Sequence, residues 1–304
     1  MAATPQQRKL ALLIAGGDAD PQLQHLRARA EARGVAVRGL LHGADKAPRV
    51  DWCLDNGTFE VDGEALSVGA AFIRRDVFRA LETKSSLDHA TARNWKMLLD
   101  GWLAAHPQVR AFNRGFLMRD EVNKPLALIW ARECGLKIPR TRMTDRADLM
   151  RQWLQNERVA YKPVAGGDLC RELTEDALDR AGGDHLPRPY TFQQRLVAPE
   201  YRVFRVGDSF HAYEVASQQL DYRGNAGRPQ LTPVAPPSHL LEPLRALTDR
   251  LGLDWTAADF KTCADTGELL FLETNSNPMF AAFDKASDGA LTGAMIDWLT
   301  AENG

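Results

Sequence analysis

Leu270-Phe271-Leu272-Glu273-Thr274-Asn275-Ser276-Asn277-Pro278 opens as an apolar run and closes in polar residues. The run predicts a strand, and because strand side chains alternate with period 2, Glu273 and Asn275 point to one face. A second apolar run containing Ala257-Ala258-Asp259-Phe260 precedes it, separated by the turn-like Ala264-Asp265-Thr266-Gly267-Glu268. A hairpin across that turn brings Asp259, Glu273 and Asn275 together as two carboxylates and one amide oxygen. Oxygen-only sets of this kind suit Mg²⁺, which takes one or two carboxylates and completes its shell with water and nucleotide phosphates. Taken alone, the pattern fits an ordinary edge hairpin with a polar face equally well.

The surrounding chain bounds the chemistry. At 304 residues there is room for two or three modules, because single cores stop growing near roughly 250–300 residues. With 44% hydrophobic and 26% charged residues, the composition is that of a soluble globular protein. A formal net charge of -2 gives no global attraction to nucleic acid or anionic membrane, so neither is an expected partner and any anion site must be local. Cys53, Cys134, Cys170 and Cys263 lack CxxC spacing and read as reduced thiols of a cytoplasmic protein. Residues 1–10 carry no signal-peptide apolar core, and no run approaches a membrane span. The histidines show no HExxH spacing, His185 reads as a loop residue, and Ser217 and His211 form no nucleophile and base pair.

In chain order, residues 9–18 read as a buried strand with a glycine turn, 21–33 as a helix stopped by Gly34, and 35–41 as a second strand. This β-α-β start favours a parallel sheet covered by helices. Asp62-Gly63 predicts a hairpin between residues 58–61 and 64–68, followed by a strand at 70–76. Trp95, Leu98, Leu99 and Trp102 give residues 88–106 one apolar helix face, and 110–114 returns to the sheet. Helices are expected at 122–134 and 145–156, and a strand at 159–164. Strands at 190–197, 201–206 and 210–217 look antiparallel; Pro233, Pro236 and Pro237 mark a connection, and helices follow at 240–251 and 291–298.

Lys124 at a helix start, and Lys162 in a strand ahead of Gly166-Gly167, stand where nucleotide phosphates could be held. Glycines let backbone N–H groups approach phosphate oxygens, and lysine supplies a compact counter-charge. Most lysines are merely solvated, but one inside the apolar run at 159–164 needs a partner, because an unpaired buried ammonium is costly.

The order Asn123-Lys124, Gly135-Leu136-x-Ile138-Pro139-x-Thr141 and Tyr161-Lys162-Pro163 before Gly166-Gly167 resembles the ATP-grasp superfamily over residues 110–300. The resemblance implies an α/β (α+β) fold with an N-terminal parallel α/β domain at 1–112, a central subdomain at 113–190 and a C-terminal antiparallel-sheet subdomain at 191–304. ATP would lie between the last two. It also implies a hinge at Phe192-Gln193-Gln194-Arg195-Leu196 that holds adenine with backbone groups, and Mg²⁺, with Mn²⁺ as a substitute, on Asp259, Glu273 and Asn275. Within the superfamily, Glu200-Tyr201-Arg202-Val203-Phe204-Arg205-Val206-Gly207-Asp208 and Ser217-Gln218-Gln219-Leu220-Asp221-Tyr222-Arg223-Gly224-Asn225 are similar to segments of the ribosomal protein S6 modification ligases and the graspetide (microviridin-type) peptide maturases. Two departures, the glycine-poor segment 165–171 and the ending Asn275-Ser276-Asn277-Pro278-Met279-Phe280, bear on the substrate more than on the chemistry.

The implied activity is an ADP-forming carboxylate–amine or carboxylate–hydroxyl ligase acting on a peptide or amino-acid carboxylate, of the kind used in RiPP biosynthesis. Arg202 and Arg223, as planar forks, suit a carboxylate or acyl-phosphate oxygens, or else form salt bridges with Glu200 and Asp221. Glu200 alternatively binds the nucleotide ribose. The alternatives are a ligase adding amino acids to a protein C-terminus or joining small molecules, and an inactive nucleotide-binding subunit. A homodimer remains open.

Overall fold

The computed structural model describes residues 11–43, 47–83, 85–117, 119, 121–165, 169–180, 183–216 and 229–301. Leu12, Leu13, Ile14 and Ala15 are at most 1% exposed, as a strand covered on both faces must be. That strand, Ala11–Gly17, pairs in parallel with Val37–His42 on one side and Val68–Ile73 on the other, and Arg110–Ala111 extends the sheet. The helix Pro21–Ala32 starts where the Asp20 side chain accepts the Gln22 N–H and proline occupies the first turn. Leu23, Leu26 and Ala30 of that helix are fully buried. The helix Ser86–Ala105 buries Leu99 and Trp102, with Trp95 and Leu98 packed beside them.

Asp62 and Gly63, both at positive φ, turn Phe59–Val61 back onto Glu64–Ala65, the geometry an Asp-Gly hairpin favours. Val50–Trp52 completes this small antiparallel sheet. Next comes an antiparallel sheet in the order Arg171–Glu172, Val159–Pro163, His185–Gln194, Thr141–Arg146. The last sheet has five strands, in the order Gln230–Val234, Ser209–Ala216, Val197–Val206, Trp255–Thr262, Leu269–Asn275. No helix among the described residues is long and apolar enough to cross a membrane, and none of the four cysteines is in a disulfide.

The two faces of the five-stranded sheet have different fates. Val203, Ala258, Phe260 and Phe271 pack against Leu240, Leu244 and Leu247 of the helix Ser238–Leu251 and Leu128 of the helix Lys124–Glu133. On the opposite face, Phe204, Trp255 and Ala257 share a core with Phe72 and Phe112 of the first sheet region and Phe280 beyond the last strand. Phe72 meets Trp255 and Phe280 edge-on at 6.1 Å in each case, a favoured aromatic geometry. Further along this second face the core stops and the sheet opens into a cavity.

The strand Gln230–Val234 and the first half of His185–Gln194 escaped the sequence reading because each contains proline, which reads as a breaker. His185, expected in a loop, is the first residue of a strand, although its side chain remains exposed. Pro233, expected in a connection, sits opposite Tyr213 in Gln230–Val234. This strand ends the sheet order, where a missing N–H is tolerated. Gly252 closes the helix Ser238–Leu251 at φ 76°, and a Cβ there would stand 2.6 Å from the Gly115 carbonyl oxygen. Gly252→Ala is therefore expected to cost about 1–3 kcal/mol through left-handed strain and this clash, read as a lower urea midpoint.

Candidate active site

Adjacent antiparallel strands bring the site together through register. Arg202 faces Asp259, Glu200 faces Lys261, and Asp259 faces Glu273. A bulge changes the pairing between Asp259–Glu273 and Phe260–Phe271, leaving Leu272 as the extra residue. In an unbroken strand Phe271 and Glu273, two apart, would share a face. The bulge lets Phe271 stay in the helix-side core while Glu273 joins Asp259 on the open face, and Asn275 follows by alternation.

Ion pairs knit this face together. Glu273 Oε2 accepts from Lys162 Nζ at 2.8 Å and lies 3.3 Å from Lys124 Nζ. Asp259 Oδ1 is 3.3 Å from Arg202 Nη1, and Asn275 Nδ2 donates to Asp259 Oδ2 at 3.4 Å. Lys261 Nζ donates to Glu200 Oε2 at 2.9 Å. The Arg202 guanidinium also lies 5.4 Å from the centre of the Phe283 ring. Lys162 comes from a neighbouring sheet, where it is opposite Thr191. Lys124 opens a helix whose cap, the Asn123 side chain, accepts the Leu126 N–H.

Two cavities meet here. The larger, about 600 Å³, is walled by Lys162, Gln193, Glu200, Arg202, Asp259 and Lys261 among others, with Leu196, Leu272 and Phe283 on its apolar side. The smaller, about 280 Å³, reaches from Lys124 toward Arg75, Lys96, Asn113 and Trp255. Glu273, Asn275, Asn277 and Met279 line both, so the end of the last strand and the chain just after it lie between them. The larger volume falls within the range of small-molecule sites, which run from about 300 to 1,000 Å³.

Asp259, Glu273, Asn275, Lys124 and Lys162, all expected from sequence, thus converge, and Gln193, Gln194, Leu196, Glu200 and Arg202 line the larger cavity. Arg195, expected to contribute through its backbone, turns its guanidinium to Glu172 at 3.3 Å and lines neither cavity. The backbone N–H groups of Gln194 and Arg195 are already given to the Arg140 and Arg158 carbonyls. The Gln194 side chain braces the hinge, accepting the Arg140 N–H and donating to Cys263 Sγ. Gly166, Gly167 and Arg223 lie outside the described residues, as does the rest of the segment 217–225. Lys261 is the residue the sequence reading missed; its signal was alternation, two residues after Asp259 on the same run. His211 contacts Ser209 and lines neither cavity; burial pulls its pKa down, opposed by Asp284.

The donor set fits Mg²⁺. Among the described residues no three His, Cys, Asp or Glu side chains cluster as a metal cage, whereas Mg²⁺ takes one or two carboxylates and fills the rest of its shell with water and phosphate oxygens. Asp259, Glu273 and Asn275 offer hard oxygens from two neighbouring strands.

No protein-family profile and no curated protein matches the chain. Solved structures do. The ATP-grasp ligase PsnB complexed with a minimal precursor matches at TM-score 0.75 with 21% identity, covering 96% of this chain and 98% of PsnB. The macrocyclase MdnC from Microcystis aeruginosa MRC, bound with the precursor peptide MdnA, matches at 0.71 with 20% identity over 97% of this chain and 100% of its own. A RiPP-associated ATP-grasp ligase of Chryseobacterium gregarium, in complex with ADP and a leader and core peptide, matches at 0.72 with 18% identity over 97% and 98%. The chain has the ATP-grasp fold.

Proposed function

We propose that this protein is an ADP-forming ligase that activates a carboxylate of a peptide as an acyl phosphate, then forms an amide or ester in graspetide-type maturation. The observation that carries this reading is the convergence of Glu273, Asp259, Asn275 and Lys162 on a nucleotide-sized cavity in a chain whose fold PsnB, MdnC and the Chryseobacterium ligase share nearly end to end. Those three proteins are bound to precursor or to leader and core peptides, which favours a peptide over a free amino acid. Four cysteines that form no disulfide suit a cytoplasmic enzyme.

The reaction sets two anions against each other. A substrate carboxylate oxygen attacks the γ-phosphorus of ATP as the bond to the β-phosphate oxygen breaks and ADP leaves; the amine or hydroxyl then displaces phosphate from the acyl carbon. We place the nucleotide between segments 113–190 and 191–304, its base against Leu196 and Leu272 and its phosphates toward Lys162. The charged wall of the larger cavity is balanced, with Lys162, Arg202 and Lys261 against Glu200, Asp259 and Glu273. A triphosphate therefore brings charge that these side chains leave uncompensated. Mg²⁺ on Asp259, Glu273 and Asn275 would supply the missing positive charge and orient the phosphates. Arg202, held against Asp259, presents its fork to the carboxylate undergoing phosphorylation.

Two measurements test the reading. Incubation with ATP, Mg²⁺ and an acidic peptide that also carries lysine, serine or threonine is expected to release ADP and remove one water mass per linkage. Product formed only from free amino acids would replace the peptide reading with that of a small-molecule ligase. Lys162→Met is expected to raise the KM for ATP roughly 10- to 100-fold, the worth of one hydrogen bond to a charged group; an unchanged KM would move the phosphates away from this strand.

A further inference from the structure

Four hydrogen bonds from outside the five-stranded sheet hold the chain just after Asn275. Asn113 Nδ2 donates to the Ser276 carbonyl at 3.2 Å, and Arg74 Nη1 donates to the Pro278 carbonyl at 2.8 Å. The Gln22 side-chain oxygen accepts both the Phe280 and the Ala281 N–H, each at 2.7 Å. These four backbone contacts come from residues between 22 and 113, near or within the first sheet region, while Asn277 and Met279 in between line both cavities.

Arg74 is the centre of this bracket. Its Nε donates to Asp20 Oδ2 at 2.9 Å, with the two side chains 1% and 0% exposed. Burial pulls the Arg74 pKa down while Asp20 opposes it. A fully buried ion pair is a poor source of stability, because desolvation offsets the attraction. It does hold a rigid fork in one orientation, and Asp20 is fixed in turn by accepting the Gln22 N–H at the helix start.

We propose that Arg74, assisted by Gln22, is a positioning residue that sets the ligand-bearing segment around Asn275 so that Asp259, Glu273 and Asn275 hold a divalent cation. The inference rests on the metal reading under Proposed function. Groups that orient ligands from behind typically govern metal affinity or activity by about 10- to 100-fold, and Arg74 acts on the backbone three residues past a ligand.

The test uses Mn²⁺ binding in the presence of ADP, followed by the loss of the free-ion electron paramagnetic resonance signal, so turnover is not needed. The double variant Asp20→Asn/Arg74→Met removes both charges together, keeps the helix cap and loses the Pro278 contact. Its Mn²⁺ dissociation constant is expected to rise about tenfold, with the melting midpoint within a few degrees of wild type. Gln22→Leu, which strips the Phe280 and Ala281 N–H groups of their acceptor, is expected to weaken Mn²⁺ binding likewise and serves if the double variant does not fold. An unchanged Mn²⁺ constant in a folded variant, with only the melting midpoint lowered, would make the bracket purely structural and overturn the proposal. Wild-type protein that binds ADP but no Mn²⁺ would overturn the metal reading itself, and the positioning role with it.

Discussion

Glu273→Gln is expected to lower Mg²⁺-dependent ADP release by about 10²- to 10³-fold, the scale of losing one preorganised charge-stabilising group. Glutamine keeps the volume and one oxygen but removes the charge that faces Lys162 at 2.8 Å and Lys124 at 3.3 Å. It also takes one of two carboxylates from the candidate cation site. The two lysines then keep their charge without the counter-ion between them, so phosphates are still attracted while their orientation is lost. Glu273→Ala is expected to abolish turnover. Circular dichroism spectra matching wild type, together with a coupled ADP assay across Mg²⁺ concentrations, check the result. Full turnover in a folded Glu273 variant would sink the assignment.

Trp255→Ala is expected to cost about 3–5 kcal/mol, a large part of the roughly 5–15 kcal/mol that a typical fold retains. Trp255 is 2% exposed and touches both halves of the chain, with ring centres 6.1 Å from Phe72, 5.7 Å from Phe112 and 5.5 Å from Phe280. Removing the indole empties the core that joins the parallel sheet to the five-stranded sheet, and it opens the wall of the smaller cavity. Leu54→Ala, at a side chain of a residue 74% exposed, is expected to stay within about 0.5 kcal/mol. Urea denaturation of both variants measures the contrast; equal midpoints would mean that Trp255 is not the joint the packing makes it.

The convergence of the candidate-site residues was partly legible because those residues obey short-range rules. Glu273 and Asn275 share a face by alternation, Lys162 stands out within an apolar run, and Asp62-Gly63 specifies its own turn. Legibility failed where a side chain's partner came from packing. The guanidinium of Arg195 has Glu172 as its partner, a residue on a separate strand that the spacing around Arg195 could not name. Lys261 looked like an ordinary strand lysine until pairing placed it opposite Glu200. Strand Val50–Trp52, three residues long, was too short for any period to show.

By itself the sequence determined which residues could act: the hard-oxygen set, the lysines, and the β-α-β opening, all written in spacings of a few residues. Only the tertiary structure decided how they meet. The bulge at Leu272 appears once Phe271 commits to the helix-side core and Glu273 to the cavity. The contact from Arg74 to Pro278 spans 204 residues of chain. The physical reason is that alternation and helical period are local properties of the backbone, whereas register and contacts between distant segments depend on which buried surfaces fit against one another.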